Sequence, residues 1–192
     1  MSREYPHFYR VTSLLGLIGA VAAYPLVILA VIQSPWFDLF SNALSDLGRY
    51  SNYPGNVYFN AGLILSGLLT SVFAISLIVS VKSISLETWK YTLLIATVSL
   101  IAIGLFPEDL GALHLVPSVT FFASLPLTIL IYGTINLYSG RKAVGVEALI
   151  LSSACIGVWT ADWSWSGVAI QELITSIIGS YWIVKVIASL SH

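Results

Sequence analysis

Three ionisable side chains in an apolar chain have the types needed for proton chemistry: Asp46, Glu108 and His114. A carboxylate and an imidazole that reach one substrate can pass a proton as general base and acid, so these three are the predicted catalytic candidates. Ser45, Arg49, Asn60, Asp109, Asp162 and Glu172 are the predicted ligand contacts around them. Arg49 has the planar fork that grips a phosphate or carboxylate bidentately, though it can equally pair with Asp46 or Glu108 and lock its own loop. Asn56 and Asn60 are four apart and share a helix face. Charge near hydrocarbon is costly, and it marks function by default.

Each of these residues also has a plainer explanation. Pro107 suits the first turn of a helix, with Glu108 and Asp109 beside its positive dipole end. Ser45 and Asp46 suit a side-chain-closed turn. Glu172 near a helix start is electrostatically favourable, and Asp162 sits among Trp159, Trp163 and Trp165 as part of an interfacial belt. His114, read as about two turns into its helix, fits a bond to a backbone carbonyl as well as it fits catalysis.

No metal or other cofactor is assigned. Zinc catalysis takes three protein ligands, and His114 is the lone imidazole expected on its side of the membrane, since His7 and His192 belong to the other. A carboxylate-held calcium or magnesium stays open. There is no Gly-x-Ser-x-Gly elbow, and a Ser45-Asp46-His114 triad would require the loop to fold inward. Cys155 is the single cysteine, so it forms no internal disulfide; its apolar run predicts a buried thiol.

The elements that must hold these residues are membrane helices. Of 192 residues, 57% are hydrophobic and 9% charged, against about 25% charged in a soluble domain. Mean hydropathy is +0.90. A net charge of -1 without a basic run gives no case for nucleic acid. Six windows are long and apolar enough to span, at residues 10–33, 56–81, 88–106, 112–137, 143–163 and 168–189. They predict an all-α polytopic membrane protein, one six-helix transmembrane domain over residues 1–192. The first window is read as a retained helix, too long for a signal-peptide core.

Arg3, Arg10, Lys82, Lys90, Arg141, Lys142 and Lys185 then fall on one side and Arg49 on the other. The positive-inside bias predicts a plasma-membrane protein with both termini cytoplasmic. Asp38, Asp46, Glu108, Asp109, Asp162 and Glu172 collect at the outer end, with Glu4, Glu87 and Glu147 inside. Residues 34–55 form the one long connection. Trp36, Phe37, Phe40, Leu44 and Leu47 recur there at roughly helical spacing, which predicts a short interfacial helix stopped by a left-handed Gly48. That loop is the natural lid over the outer end.

The series Asn42-Ala-Leu-Ser-Asp-Leu-Gly48, Asn56 with Asn60, and Gly104-Leu-Phe-Pro-Glu108 with His114 resembles the DUF998 family of small bacterial and archaeal membrane proteins. The resemblance runs roughly from Leu14 to Trp182 and implies a six-helix bundle without an assigned activity. The ordering is loosely similar to the Frag1/DRAM group and to ceramidase-like membrane hydrolases, which use several histidines around zinc; this chain departs from those in its single suitable histidine.

Taken together, the residues predict an acidic pocket under the first loop, at the extracytoplasmic face, that binds or processes a lipid headgroup or small polar ligand. Membrane lipids are the expected partners, with a homo-oligomer or another membrane protein left open. Two alternatives stand beside this. One is a non-enzymatic assembly or scaffold subunit. The other is a small proton-coupled transporter, which the clustering of charge at one end and not at the midplane disfavours.

Overall fold

A computed structural model of the chain describes residues 6–79 and 87–190. Arg3, Glu4, Lys82 and His192, used above for orientation, lie outside them, as does the side chain of His7. Six α-helices make up almost all of the described chain: α1 (Pro6–Ile32), α2 (Gly55–Val79), α3 (Trp89–Leu105), α4 (Ala112–Tyr138), α5 (Lys142–Thr160) and α6 (Ala169–Leu190). Five are long and apolar enough to cross a membrane; α3, with 17 residues, is shorter. The result is a polytopic helical bundle. Pro25, Pro117 and Pro126 all lie inside continuous helices.

Short links make sequence neighbours antiparallel, and α1 to α5 pack in chain order, with α6 closing back onto α1, α4 and α5. Gly140 (φ 81°) ends α4: its N–H donates to Leu137 O at 3.1 Å and Arg141 N–H donates to Asn136 O at 2.9 Å. This is the paired closure that a left-handed glycine allows. At the same end three rings pack edge to face, with Trp89–Tyr132, Tyr132–Trp182 and Trp89–Trp182 centroids 5.1, 5.4 and 5.8 Å apart. They anchor the apolar core, with Phe73, Leu93, Leu125, Ile129 and Ile183 packed around them.

At the other end lies the long connection between α1 and α2, which we call the roof. Its expected helical element is present, but as two 3-10 turns, Leu44–Gly48 and Tyr50–Asn52; residues 33–42 form turns. Gly48 is not left-handed: among the described residues positive φ occurs only at Gly111 and Gly140. The apolar series does not become an amphipathic helix: Phe37, Leu44 and Leu47 find partners below, while Trp36 and Phe40 stay half exposed. Leu47, fully buried, plugs between Ala30 and Phe59, with Val27, Phe37 and Leu44 around it. Packing downward replaces packing along a helix face.

Helix α4 also starts later than Pro107 predicts. Glu108–Leu110 is a separate 3-10 turn, and Gly111 (φ 57°, ψ -114°) breaks the chain before Ala112. Glu108 and Asp109 therefore do not sit in the first turn of α4. His114 lies in that first turn, not two turns deep.

Candidate functional site

The roof is fastened on four sides, and most of the predicted site residues are the fasteners. On the α1 side, Asn52 Oδ1 accepts from Ser34 Oγ (2.9 Å) and Trp36 Nε1 (3.1 Å), while Asn52 Nδ2 donates to Leu47 O (2.8 Å). On the α2 side, Asn60 Nδ2 donates to Gly48 O at 3.0 Å. On the α6 side, the backbone closes the gap. Gly167 N–H donates to Phe40 O at 2.7 Å, and Val168 and Ala169 N–H donate to Asn42 O at 3.1 and 3.0 Å. Position 167 requires glycine, because a Cβ there would collide with the backbone of Ser41 and Asn42.

The fourth side carries the charges. Arg49 Nη2 lies 2.8 Å from Asp46 Oδ1 and 2.9 Å from Glu108 Oε1, and its Nε donates to Glu108 Oε2 at 3.4 Å. Ser45 Oγ donates to the same Glu108 Oε2 at 3.2 Å. Asp46 Oδ2 accepts Ala43 N–H at 2.9 Å, closing its own turn, and Asp109 Oδ2 accepts Tyr50 N–H at 2.8 Å. The Arg49 guanidinium is held above its ordinary pKa, first by the hydrogen bond it donates to Glu108's carboxylate and then by the charges of Glu108, Asp46 and Asp109. Ser45, Asp46, Arg49, Glu108 and Asp109 thus form one clasp between the roof and the α3–α4 corner. Its donors and acceptors are largely spent on each other.

The other predicted residues stand apart from the clasp. His114, 5% exposed, uses Nδ1 on Phe106 O at 2.7 Å. A carbonyl only accepts, so that nitrogen carries the proton. The bond ties the start of α4 to the end of α3. No hydrogen bond joins His114 to Asp46 or Glu108 among the described residues. Asp162 is exposed on the α5–α6 link and likewise makes no hydrogen bond or ion pair among them. Nor do the described residues bring three or more His, Cys, Asp or Glu side chains together as a metal cage.

Glu172 differs from all of these. It is 8% exposed, in the first turn of α6, and its Oε2 accepts Leu44 N–H from the roof at 2.5 Å. It also lines a cavity in the bundle of about 110 Å³, partly open to the surroundings. Five helices contribute walls: Ala20 and Tyr24 from α1, Phe59, Ser66 and Thr70 from α2, Leu93 to Ile103 from α3, Phe121 and Leu125 from α4, and Glu172 to Ile183 from α6. Leu44 and Ser45 cover its outer end. On α6 the lining runs from Glu172 to Ile183, eleven helical steps, so the cavity is about 16 Å deep at the 1.5 Å helical rise. The ring trio lies just beyond it, one turn past Leu93 and next to Ile183.

Most hydroxyls in that wall are turned to backbone. Ser66 Oγ donates to Gly19 O (2.6 Å), Thr70 Oγ1 to Ser66 O (2.7 Å), Thr97 Oγ1 to Leu94 O (3.1 Å) and Ser180 Oγ to Ala20 O (2.6 Å). What faces the cavity is then chiefly methyl, methylene and ring carbon. The cavity and the Asn52 anchor are the features the residue types did not reveal. Hydroxyls four apart on one face, Ser66 with Thr70 and Ser176 with Ser180, are the signal that would have pointed to the cavity.

The sequence model of DUF998, described as a protein of unknown function, matches residues 17–189. No curated protein and no solved structure matches the chain.

Proposed function

The chain belongs to the DUF998 family, and we propose that it binds a lipid, with the apolar chain in the bundle cavity and the polar end beneath the roof. The observation that carries this is the cavity itself: apolar walls about 16 Å deep, with Leu44 and Ser45 of the fastened loop at one end and the aromatic trio beyond the other. Pockets of this kind, apolar with a few placed polar groups, are the usual form of a small-molecule site. The clasp residues then act by holding the roof in place, and Asp46, Glu108 and Arg49 serve the site indirectly. Among the described residues, five of the six Lys and Arg (Arg10, Lys90, Arg141, Lys142 and Lys185) lie at the end opposite the roof, which supports a plasma-membrane orientation with the roof extracytoplasmic and both termini cytoplasmic.

The test is native mass spectrometry of the detergent-solubilised chain with tetradecanol as probe. Ala96→Phe and Ala20→Leu, both filling the cavity, should each lower adduct formation at least tenfold. Leu115→Phe, on the 61%-exposed outer face of α4, should leave it unchanged. Equal binding by all three variants would overturn the proposal. It would favour the second reading, an assembly subunit whose fully paired Arg49 clasp only shapes a surface for another membrane protein.

A further inference from the structure

Two polar groups in the cavity wall are left open. Glu172 spends Oε2 on Leu44 N–H, and its Oε1 makes no hydrogen bond among the described residues. Ser176 also lines the cavity, four residues on, and its hydroxyl makes no hydrogen bond among them either, unlike Ser66, Thr70, Thr97 and Ser180. A spacing of four puts both on one face of α6. The pair thus sits toward the roof end of a wall that is chiefly carbon, with Glu172 itself 8% exposed. An acceptor and a hydroxyl that line one cavity and have no protein partner among the described residues mark the place for a ligand's polar end.

We infer that Glu172 and Ser176 are the head-recognition pair of the cavity, and that they select a single-chain amphiphile whose polar end donates hydrogen bonds, an amine first and an alcohol second. The inference rests on the lipid-binding proposal above. Three observations set the class. Glu172 offers a carboxyl oxygen, which makes its strongest contact with an amine, whichever of the two holds the shared proton. The roof residues on either side of Leu44, whose N–H Glu172 accepts, bond the carboxylates of Asp46 (through Ala43) and Glu108 (through Ser45), so both acids lie close by. Among the described residues the cation at this end is Arg49, already bonded to both of them. An anionic head, phosphate or carboxylate, would therefore meet acceptors and like charge, with no free cation among the described residues to receive it. Ser176 supplies the second contact, since a hydroxyl both donates and accepts.

The experiment uses the full chain in detergent with three probes of one chain length: tetradecylamine, tetradecanol and tetradecanoate. Binding is read by native mass spectrometry and by calorimetric titration. The wild type should prefer the amine to the carboxylate by at least tenfold, with the alcohol between them. Glu172→Gln should keep binding of the alcohol within about threefold and collapse the amine preference; Ser176→Ala should weaken amine and alcohol together by a fewfold. If Glu172→Gln lowers the folded yield, the wild-type ranking of the three probes and the Ser176→Ala loss still decide the inference. Wild type that takes all three probes equally, or a Glu172→Gln chain that keeps the amine preference, would overturn the inference while the cavity still binds. Failure of the cavity itself is distinguished separately: Ala96→Phe would then leave all three probes bound as in wild type.

Discussion

Asn52→Ala should loosen the roof more than any charge removed from the clasp. Asn52 is 7% exposed and makes three hydrogen bonds, to Ser34 Oγ, Trp36 Nε1 and Leu47 O. Ser34 keeps a partner after the change, because its hydroxyl also donates to Ala30 O at 2.7 Å. Trp36 is 50% exposed and recovers water. Leu47 is fully buried, so its carbonyl is stranded. Three bonds at about 1 kcal/mol each give roughly 3 kcal/mol, with the stranded carbonyl setting the upper side. The helices do not depend on these bonds, so the loss falls on roof docking and not on global unfolding. Amide hydrogen exchange of peptides covering residues 34–54 is the assay, on the detergent-solubilised chain. At 1.4 kcal/mol per tenfold, the opening equilibrium should rise about a hundredfold. Trp36→Phe, which removes one bond from a half-exposed donor, should raise it only about fivefold, for about 1 kcal/mol. Equal exchange in the two variants, or an Asn52→Ala chain that exchanges like wild type, would refute the claim that Asn52 is the main anchor.

Arg49→Gln should speed roof exchange by less than about tenfold, since half-exposed ion pairs contribute at most about 1 kcal/mol, and the difference should shrink at high salt; a larger, salt-independent effect would contradict this. Gly67→Ala should lower the thermal midpoint, because its Cβ would sit 2.9 Å from both Ile101 N and Thr97 O, fixed backbone atoms of α3, at a cost of about 1–3 kcal/mol. Gly157→Ala, with nothing within 4 Å of its Cβ, should be neutral or raise the midpoint through helix propensity worth up to about 1 kcal/mol. Ser51→Cys, at an exposed roof position in a chain whose native Cys155 is fully buried, should react with a membrane-impermeant maleimide on intact cells; labelling only after lysis would reverse the proposed orientation.

The helices were legible in the sequence because length and hydropathy suffice for a span, and their ends moved by only a few residues. Boundaries shifted where a local device intervened: Gly111 separates the Glu108–Leu110 turn from α4 and moves His114 from the second turn to the first. Residue chemistry also located the clasp, since among the described residues a lone guanidinium beside several acids at the roof end has few options. It did not distinguish residues that pair with each other from residues that await a ligand. Arg49, Asp46 and Glu108 are of the first kind, and the inference above puts Glu172 with Ser176 in the second. That distinction depends on which side chains the roof brings together, and the roof is set by tertiary packing of Leu47 and by Asn52. Asn52 reads in sequence as an ordinary turn residue between Tyr50 and Pro54. The cavity was hidden for a similar reason: small and hydroxyl residues in a span fit tight helix packing as readily as they fit a hollow.

The central claim is that the bundle interior holds a lipid chain, and photolabelling tests it most directly. A single-chain amine carrying a diazirine at its chain terminus would be bound to the detergent-solubilised chain, irradiated, and the insertion sites mapped by peptide mass spectrometry. Insertion should fall at the deep end of the cavity, at Leu93, Ala96, Leu125 or Ile183, and should disappear in Ala96→Phe. Insertion confined to outward-facing positions such as Ile28, Leu115 and Val116, which are 58%, 61% and 64% exposed, would contradict it.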